Sequence, residues 1–402
     1  MALDLNKVAG QVARMADSLR SGALARREKM NKALSTFSSP MFADDQIKKK
    51  IALSKTSWLV AGPVTTVNER HPAIAPPSSY AVLAADGSQI EADRHFSARC
   101  FLLNTGAVSL SYGAHASAKL YNTPRLYSSD DELVIRDPNG LSETPVEGNL
   151  LGIKRSVEEC RELVELARQE PPEAPALALV DGTLIEWALL PYADRPYIVR
   201  ELLDKGMLAS FEELRKLSVS RDLALASYIS YPGSSDVVNA LRVILCPHEA
   251  ADCDRYCTKF ANGQRACDAV SGVIDRELFS SNLAPGERSG VFRSSSSVLE
   301  KGYGEHWIFF YYLNASGEIA RIEVPKWVAE NEELLDLSHS IILDQCKKGF
   351  GYPVVLSEAH EQAVVTGRDR DAFYRLVEET MLGSKLPVHV SAKSFCKKTR
   401  WV

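Results

Sequence analysis

The first 55 residues repeat apolar side chains at helical spacing, with lysines and arginines at many of the positions between them. A helix with one apolar stripe and one charged face is amphipathic, so we predict a helical arm over residues 1–60. Such an arm is either a solvated helix packed on the body of the protein or a docking element for a partner or second subunit. Its apolar positions are Leu5, Val8, Val12, Met15, Leu19, Met30 and Leu34.

Residues 63–79 contain prolines and no periodicity, which is typical of a linker or surface loop. Short apolar runs follow at 80–85, 100–103 and 107–112, and they predict a meander of antiparallel strands. The first of these strands is expected to end at Asp86.

The next two elements predict an α/β sheet. Residues 150–168 gather apolar side chains on one face, which indicates a helix that Pro171 and Pro172 terminate. The apolar run 176–180 is typical of a buried parallel strand, and it ends at Asp181.

The remaining pattern predicts helices over 202–225, 334–346 and 361–382, and a strand at 242–246. The runs 307–313 and 318–324 flank a four-residue connection with a glycine suited to positive φ, which indicates a β-hairpin. A glycine-rich turn from Gly349 leads through a short strand into the start of a helix that contains His360.

Composition narrows the class of protein. The chain is 45% hydrophobic and 25% charged, close to the average of globular proteins, which excludes disordered, collagen-like and coiled-coil chains. No run approaches the ~18 apolar residues of a membrane helix and no signal segment opens the chain, so we expect a cytoplasmic protein with no membrane partner. The net charge of −5 excludes a uniformly basic nucleic-acid coat but allows a local basic groove.

Two acid-glycine-hydroxyl triplets follow apolar strands: Asp86-Gly-Ser88 and Asp181-Gly-Thr183. Ligands of open α/β sheets bind at strand ends, and two neighbouring carboxylates repel each other unless a cation lies between them. The triplets therefore predict a site for Mn²⁺ or Mg²⁺, which prefer oxygen ligands and can promote phosphodiester cleavage. The alternative is that Asp-Gly marks two ordinary turns.

A third carboxylate is expected from the helix at 150–168, which precedes the second triplet. Glu159 borders the apolar face of that helix and is our first choice, with Glu162 second. The alternative is that these glutamates are solvated, as most helix glutamates are.

His360 and Tyr352 form a further candidate pair. A histidine can orient or protonate a phosphate oxygen, and a tyrosine hydroxyl can donate a hydrogen bond to it. The alternative for His360 is a structural role with its ring hydrogen-bonded inside the fold.

These motifs, in this order, resemble the NurA family of DNA-end-processing nucleases. The resemblance covers residues from about Tyr80 to about Phe373, and its most specific part is the interval between Tyr352 and His360. One departure is Thr183, where the family commonly has serine; the hydroxyl is kept.

The resemblance implies a ribonuclease H-like α/β domain at 80–382, a mixed sheet flanked by helices, followed by a tail at 383–402. It also implies a homodimer that works with a HerA-type hexameric ATPase on DNA ends in double-strand break repair. The implied activities are Mn²⁺-dependent 5′-to-3′ exonuclease and single-strand endonuclease activity, with Mg²⁺ as the other candidate ion. Carried over by motif, Asp86, Glu159 and Asp181 are metal ligands, and Tyr352 and His360 are their active-site partners.

Half of the eight cysteines lie within the segment 246–267, an insertion outside the family pattern. Such clustering favours a shared zinc ion or iron-sulphur cluster, although the spacing matches no common motif of either kind. Four unlinked or redox-paired thiols are the alternative. The cysteines are Cys246, Cys253, Cys257 and Cys267.

DNA contacts require cations near the strand ends, and an aromatic side chain such as Trp327 could stack on a base. Considered one at a time, each such residue is more typical of an ordinary surface or packing position. The candidate cations are Arg288, Arg293, Arg321, Lys326, Lys347 and Lys348.

Two other functions remain open from the sequence. The first is a catalytically silent DNA-binding adaptor of such an ATPase, against which the presence of all five candidate side chains argues. The second is a metal-dependent phosphoesterase acting on RNA, because the same two-metal chemistry serves several phosphoesters.

Overall fold

A computed structural model describes residues 3–39, 45–91, 98–171, 173–260 and 264–386. Contacts divide the chain into two compact units: Met1–Pro72, Ser230–Ser296 and Phe309–Arg321 form the first, and Ala73–Ile229, Ser297–Ile308 and Ile322–Val402 form the second. Pro172 and most of the predicted C-terminal tail lie outside the described ranges. None of the helices within these ranges is long and apolar enough to span a membrane.

Strands and helices are numbered in chain order. The strands are β1 (Gly62–Pro63), β2 (Arg70–His71), β3 (Tyr80–Glu91), β4 (Phe101–Tyr112), β5 (Ser117–Tyr127), β6 (Val134–Arg136), β7 (Glu143–Pro145), β8 (Ala176–Asp181), β9 (Leu223–Ile229), β10 (Arg288–Ser289), β11 (Phe292–Arg293), β12 (Ile308–Ala315) and β13 (Glu318–Pro325). The helices are α1 (Leu5–Phe37), α2 (Asp45–Ala52), α3 (Asp130–Leu133), α4 (Asn149–Gln169), α5 (Pro196–Val199), α6 (Ala209–Ser218), α7 (Asp236–Leu245), α8 (Cys253–Tyr256), α9 (Asp275–Ser280), α10 (Lys326–Ala329), α11 (Glu332–Lys348), α12 (Val354–Ala363) and α13 (Gly367–Gly383).

A mixed sheet with the strand order β9-β8-β3-β4-β5 forms the centre of the second unit. Strands β3, β4 and β5 are the predicted antiparallel meander, and β8 and β9 extend the sheet in parallel to β3. Helix α4 lies in the chain between the meander and β8, and it packs on β3 and β4. Its apolar stripe, which includes Val157, Cys160 and Val164, is buried in the core, as the 3.6-residue periodicity predicts.

Two details of the meander differ from the prediction. The apolar runs at 100–103 and 107–112 belong to one strand, β4, and the third strand is β5. Strand β3 does not end at Asp86, because it stays paired to β4 as far as Glu91, with Asp86 opposite Gly106. On its parallel side, however, the pairing with β8 ends at Ala84. Asp86 therefore lies just beyond the parallel pairing, in a strand that is still held on its other edge.

In the first unit, the last turns of α1 enter an apolar core that α7, α9 and short strands complete. Ala33 and Phe37 are buried there, and the ring of Phe37 meets Phe279 edge-on at 5.6 Å. The predicted helical arm is thus a helix, with its C-terminal end packed on the unit. Leu5 and Leu19, nearer its start, remain more than half exposed.

The strand predicted at 242–246 is wrong, because these residues belong to α7 and its C-cap. Short apolar runs do not distinguish a buried helix from a strand. The start of α7 is fixed by the carboxylate of Asp275, which accepts the backbone N–H groups of Val237 and Val238 at 3.1 and 2.8 Å. These bonds satisfy donors that a helix start otherwise leaves unpaired.

Two long helices predicted from periodicity are interrupted. The first ends at Ser218, and strand β9 begins at Leu223. The second divides at Thr366, whose hydroxyl accepts the N–H of Asp369 at 3.2 Å and caps α13. The helix predicted at 334–346 lies within α11, and the predicted hairpin is formed by β12 and β13.

Candidate active site

Asp86 and Asp181 occupy the same level of neighbouring parallel strands. Ala84 of β3 pairs with Leu179 of β8, and each aspartate follows its paired residue by two positions. Residues two apart on a strand point to the same face, and neighbouring strands lie ~4.8 Å apart. The two carboxylates are therefore brought together on one face of the sheet, as the two triplets predict.

The glycine of the first triplet makes room for α4. A Cβ atom at Gly87 would lie 2.6 Å from Glu159 Oε1 and 2.7 Å from Arg155 Cγ. Because β3 runs straight through this position, the interpretation of the first triplet as an ordinary turn is wrong. Gly182 of the second triplet does turn the chain: its φ is +90° and its N–H donates to the carbonyl of Tyr228 at 3.0 Å.

Glu159 lies on α4, near enough to the two aspartates for their charges to act on it. Burial raises the pKa of Glu159 to about 7; the neighbouring Arg155 opposes this rise, and the negative charges of Asp86, Glu186 and Asp181 add to it. Within the described ranges its Oε1 atom is buried and accepts no hydrogen bond, although Arg155 Nε lies 3.1 Å away. The acids thus form a carboxylate cluster, by which we mean Asp86, Glu159 and Asp181.

The other glutamates of α4 are directed elsewhere, so the first choice of Glu159 over Glu162 agrees with the geometry. Glu162 accepts the hydroxyl of Tyr121 at 2.7 Å, Glu158 pairs with Lys154 at 3.0 Å, and Glu165 pairs with Arg168 at 2.6 Å.

His360 contacts the carboxylate cluster through Asp86. Its Nδ1 atom lies 2.8 Å from Asp86 Oδ2, and its side chain is 67% exposed. The prediction placed His360 at the start of a helix after a short strand, whereas it lies in the last turn of α12, which begins directly after Pro353. The helix passes close to β4 because residue 106 is glycine, where a Cβ atom would lie 2.5 Å from the carbonyl oxygen of Ala359.

Tyr352 contacts the cluster through Asp181, to which its hydroxyl donates a hydrogen bond. Burial and the charge of Asp181 raise the pKa of Tyr352 well above its ordinary value. The hydroxyl therefore stays protonated and acts as a donor, not as a base. The edge-on contact between Tyr352 and Tyr228, with ring centroids 5.4 Å apart, fixes the ring.

The hydroxyl residues of the triplets anchor the site. The Ser88 hydroxyl donates to the carbonyl of Ala363, which also accepts the Asn104 amide at 3.0 Å, so the end of α12 is tied to β3 and β4. The Thr183 hydroxyl donates to the buried carboxylate of Glu323 at 2.8 Å. Both hydroxyls therefore position neighbouring elements, and their hydrogen bonds go to residues outside the carboxylate cluster.

Two glutamates near the site, the half-buried Glu186 and the buried Glu323, are not predicted from the sequence. Burial raises the pKa of Glu186, and its carboxylate accepts the backbone N–H of Ala188, at the start of a short 3-10 helix. Glu323 lies on β13, far in sequence from both triplets, and no local pattern distinguishes it from a solvated strand glutamate. Only the spacing of Glu186, five residues after Asp181, was available as a signal.

Each acid of the carboxylate cluster has a protein partner: His360 for Asp86, Arg155 for Glu159 and Tyr352 for Asp181. As these side chains lie, no group of three or more His, Cys, Asp or Glu within the described ranges is arranged to hold a metal ion. To bind a cation, some of these carboxylates would have to rotate and exchange a protein partner for the ion.

Comparison with known proteins shows which family the chain belongs to. A family model described as the NurA domain matches residues 80–365, which is more than half of the chain. The chain belongs to the NurA family. No curated protein sequence matches it.

Two solved structures show weak similarity to part of this NurA protein. The crystal structure of prototype foamy virus protease-reverse transcriptase is 15% identical with a TM-score of 0.21, over 39% of the NurA chain and 18% of that chain. The crystal structure of LC9-RNase H1, a type 1 RNase H with the type 2 active-site motif, is 12% identical with a TM-score of 0.18, over 42% and 71%. These scores are too low to support conclusions about activity. The predicted α/β fold class is confirmed, because the second unit has a mixed sheet flanked by helices.

Two of the predicted DNA contacts of the NurA protein are buried. Arg288 and Arg321 are 2% and 5% exposed, so neither guanidinium is available to a phosphate at the surface. Arg321 pairs with Asp236 at 2.9 Å and stacks over Phe310. Sequence position alone does not separate such buried cations from surface ones.

The other predicted cations are more accessible. Lys326 pairs with Glu305 at 3.0 Å, Lys348 pairs with Asp344, and Lys347 is exposed on the last turn of α11. Their contact with DNA stays a prediction.

The four clustered cysteines of the NurA protein are free thiols in the first unit. Cys253 and Cys257 lie one helical turn apart, with the N–H of Cys257 donating to the carbonyl of Cys253 at 3.0 Å. The charges of Cys257, Cys267 and Cys246 help burial to raise the pKa of Cys253 to about 11, which indicates that the four are neighbours. A shared zinc ion or iron-sulphur cluster stays a prediction.

Glu323→Ala is expected to lower the free energy of unfolding by about 2–4 kcal/mol, measured by urea denaturation. The reason is that the substitution leaves two donors without an acceptor. These are the Thr183 hydroxyl and the N–H of Leu184, which donate to this carboxylate at 2.8 and 2.9 Å. Glu300→Ala, at an exposed position of the short 3-10 helix Leu299–Lys301, is the control and should change stability by less than about 0.5 kcal/mol. Equal effects of the two variants would contradict the anchoring role of Glu323.

Proposed function

We propose that this NurA-family protein is a divalent-metal-dependent deoxyribonuclease that degrades DNA ends from 5′ to 3′ and cuts single strands. The observation that supports the proposal most strongly is the approach of Asp86, Glu159 and Asp181 from three separate elements. Burial raises the pKa of Glu159, and the negative charges of both aspartates add to this rise. Carboxylates held together in this way are costly without a cation, which is why such clusters mark functional sites.

The carboxylate cluster suits a hard divalent cation. It offers only oxygen donors, and Glu159 Oε1 is buried without a hydrogen bond among the described residues. Asp86, Glu159 and Asp181 would hold Mn²⁺ or Mg²⁺, and the bound ion supplies activation of water and neutralisation of the phosphate charge.

His360 and Tyr352 would act on the phosphate from the protein side. With a proton on Nδ1, His360 would donate a hydrogen bond to the carboxylate of Asp86. The exposed ring would then present Nε2 to a phosphate or leaving oxygen. Tyr352 holds the carboxylate of Asp181 in place through its donated hydrogen bond. Arg155, beside Glu159, supplies a positive charge at the same edge.

Membership of the family extends the proposal to partners. We infer that the protein works as a homodimer in the cytoplasm with a HerA-type hexameric ATPase, processing DNA ends during double-strand break repair. The exposed apolar side chains of α1, among them Leu5 and Leu19, support a docking role for the arm.

The test is cleavage of end-labelled DNA by the purified protein. Single-stranded DNA, double-stranded DNA and RNA of the same sequence are incubated with and without Mn²⁺. Loss of both DNAs only with Mn²⁺ is expected. Preferential loss of RNA would favour the RNA phosphoesterase, and binding of DNA without any cleavage would favour the silent adaptor.

Mn²⁺ is expected to stabilise the folded protein, by about 2.7 kcal/mol at ~100 times its dissociation constant. Thermal denaturation of the EDTA-treated protein with increasing Mn²⁺ measures the effect. Asp181→Asn should abolish the Mn²⁺ shift and also raise the melting temperature of the metal-free protein, because it removes one of the repelling charges near Glu159. A lower metal-free melting temperature for this variant would show that the cluster is not repulsive.

A further inference from the structure

A cavity of about 510 Å³ in the first unit is lined by positively charged side chains. Its described lining contains three cationic side chains, Lys48, Lys55 and Arg293, and no carboxylate. The whole chain, by contrast, has 52 acidic and 47 basic residues. We call this the basic cavity, and its lining belongs entirely to the first unit, whereas the carboxylate cluster belongs to the second.

Helix α2 builds one wall of the basic cavity. Ile47 and Ile51, one turn apart, are buried in the apolar cluster beneath the helix. The adjacent stripe, Lys48 and Ala52, therefore faces the cavity, while the exposed Lys49 points to neither. The orientation of Lys48 follows from the packing of α2 and not from chance exposure.

The chain after α2 and strand β11 supplies the rest of the charge. Lys55 is fixed through its backbone, which donates to the carbonyl of Ala251 at 2.7 Å and accepts the N–H of Cys253 at 3.0 Å. Arg293 lies on β11 opposite Gly62 of β1. Within the described ranges, neither Lys48 nor Lys55 forms an ion pair.

Two neutral side chains complete the chemistry. Ser295 Oγ accepts the N–H of Val60 at 3.0 Å, which leaves the hydroxyl proton to donate to an anion. Trp58 also lines the cavity, and the guanidinium of Arg242 lies 3.9 Å from its ring centroid and holds the ring in place. An aromatic side chain beside clustered cations suits a base attached to a phosphate.

We propose that the basic cavity binds the phosphate of a nucleotide, contributed by a nucleic-acid strand or by a free nucleotide. Lys48, Lys55 and Arg293 would pair with the phosphate oxygens, and Trp58 would contact the base. The inference goes beyond the proposed nuclease function, because it assigns a second nucleotide-binding site without any residue of the carboxylate cluster.

The experiment measures binding in EDTA, where cleavage plays no part. Fluorescence anisotropy follows a labelled 12-nucleotide single strand on the full-length protein, and ATP, AMP and inorganic phosphate are added as unlabelled competitors. Lys48→Ala, Lys55→Ala and Arg293→Ala are compared with Lys49→Ala, a matched removal of a lysine from the same helix. Lys48→Arg, which keeps the charge, guards against a loss of binding caused by misfolding.

Each cavity variant is expected to weaken binding of the strand or of ATP about tenfold, with Lys49→Ala and Lys48→Arg within about twofold of the unchanged protein. For the strand, the slope of log affinity against log salt should fall by about 1 per cation removed. An effect on the strand alone identifies nucleic acid, and an effect on ATP or AMP alone identifies a free nucleotide. The proposal is overturned if the cavity variants bind every probe as Lys49→Ala does, whatever the outcome of the Mn²⁺ cleavage assay.

Discussion

Asp86→Asn is expected to lower kcat/KM for DNA cleavage by about a thousandfold or more at saturating Mn²⁺. The substitution keeps the size of the side chain but removes a charge from the carboxylate cluster and changes the group that faces Nδ1 of His360. Both the proposed cation site and the orientation of the histidine are affected, so the loss should exceed that of either function alone. Release of labelled nucleotides under single-turnover conditions measures the rate.

The control is Glu165→Gln, which makes the same change of charge on the exposed side of α4, where Glu165 pairs with Arg168. This variant should cleave DNA within about twofold of the unchanged protein, because surface ion pairs contribute little. His360→Ala should retain more activity than Asp86→Asn, since it leaves the cluster intact. Activity of Asp86→Asn within about tenfold of the unchanged protein would exclude Asp86 as a cation ligand.

Gly87→Ala is expected to reduce cleavage about a hundredfold and to lower the free energy of unfolding by about 1–3 kcal/mol. The added methyl group would lie 2.6 Å from Glu159 Oε1 and 2.7 Å from Arg155 Cγ, so the side chains of Glu159 and Arg155 have to shift. This shift displaces the carboxylate of Glu159 from its place near Asp86. Cleavage rates and urea denaturation of the same preparation measure the two effects.

Gly152→Ala is the matched control, because Gly152 lies on α4 itself and a Cβ atom there would meet nothing within 4 Å. Alanine favours the helix over glycine, so this variant should be more stable by roughly 0.5–1 kcal/mol with unchanged cleavage. If Gly87→Ala cleaved DNA as fast as Gly152→Ala, the close approach of α4 would have no bearing on the site.

The convergence of the carboxylates was predictable because strong local patterns place each of them. Asp181 follows a compact apolar run that is typical of a buried strand, and Glu159 borders the apolar stripe of a regular helix. The register that sets Asp86 beside Asp181 was not predictable, since pairing between distant strands leaves no mark in either segment. The role of Gly87 was equally hidden, because Asp-Gly reads locally as a turn and only the packing of α4 reveals why glycine is there.

Side chains whose environment depends on distant segments were the ones misplaced or missed. The sequence predicts Arg321 as a DNA contact, but its partner Asp236 lies 85 residues away and buries it. Glu323 was overlooked for the opposite reason: its donors, Thr183 and the N–H of Leu184, come from the second triplet and are about 140 residues away. Periodicity reports which face of an element is apolar, but not which charged residue meets a partner there.

The sequence also did not predict which segments of the chain form the first unit. Its core joins the end of α1 to Phe279 and to other residues from two later segments. The prolines at 63–79 mark a loop but give no sign that the chain returns to the same unit after residue 230.

Isothermal titration of Mn²⁺ into EDTA-stripped protein tests most directly whether Asp86, Glu159 and Asp181 act together. The account predicts saturable binding that Asp86→Asn, Glu159→Gln and Asp181→Asn each weaken by at least about tenfold, while Glu165→Gln binds as the unchanged protein does. Undiminished Mn²⁺ binding in all three cluster variants would contradict the account.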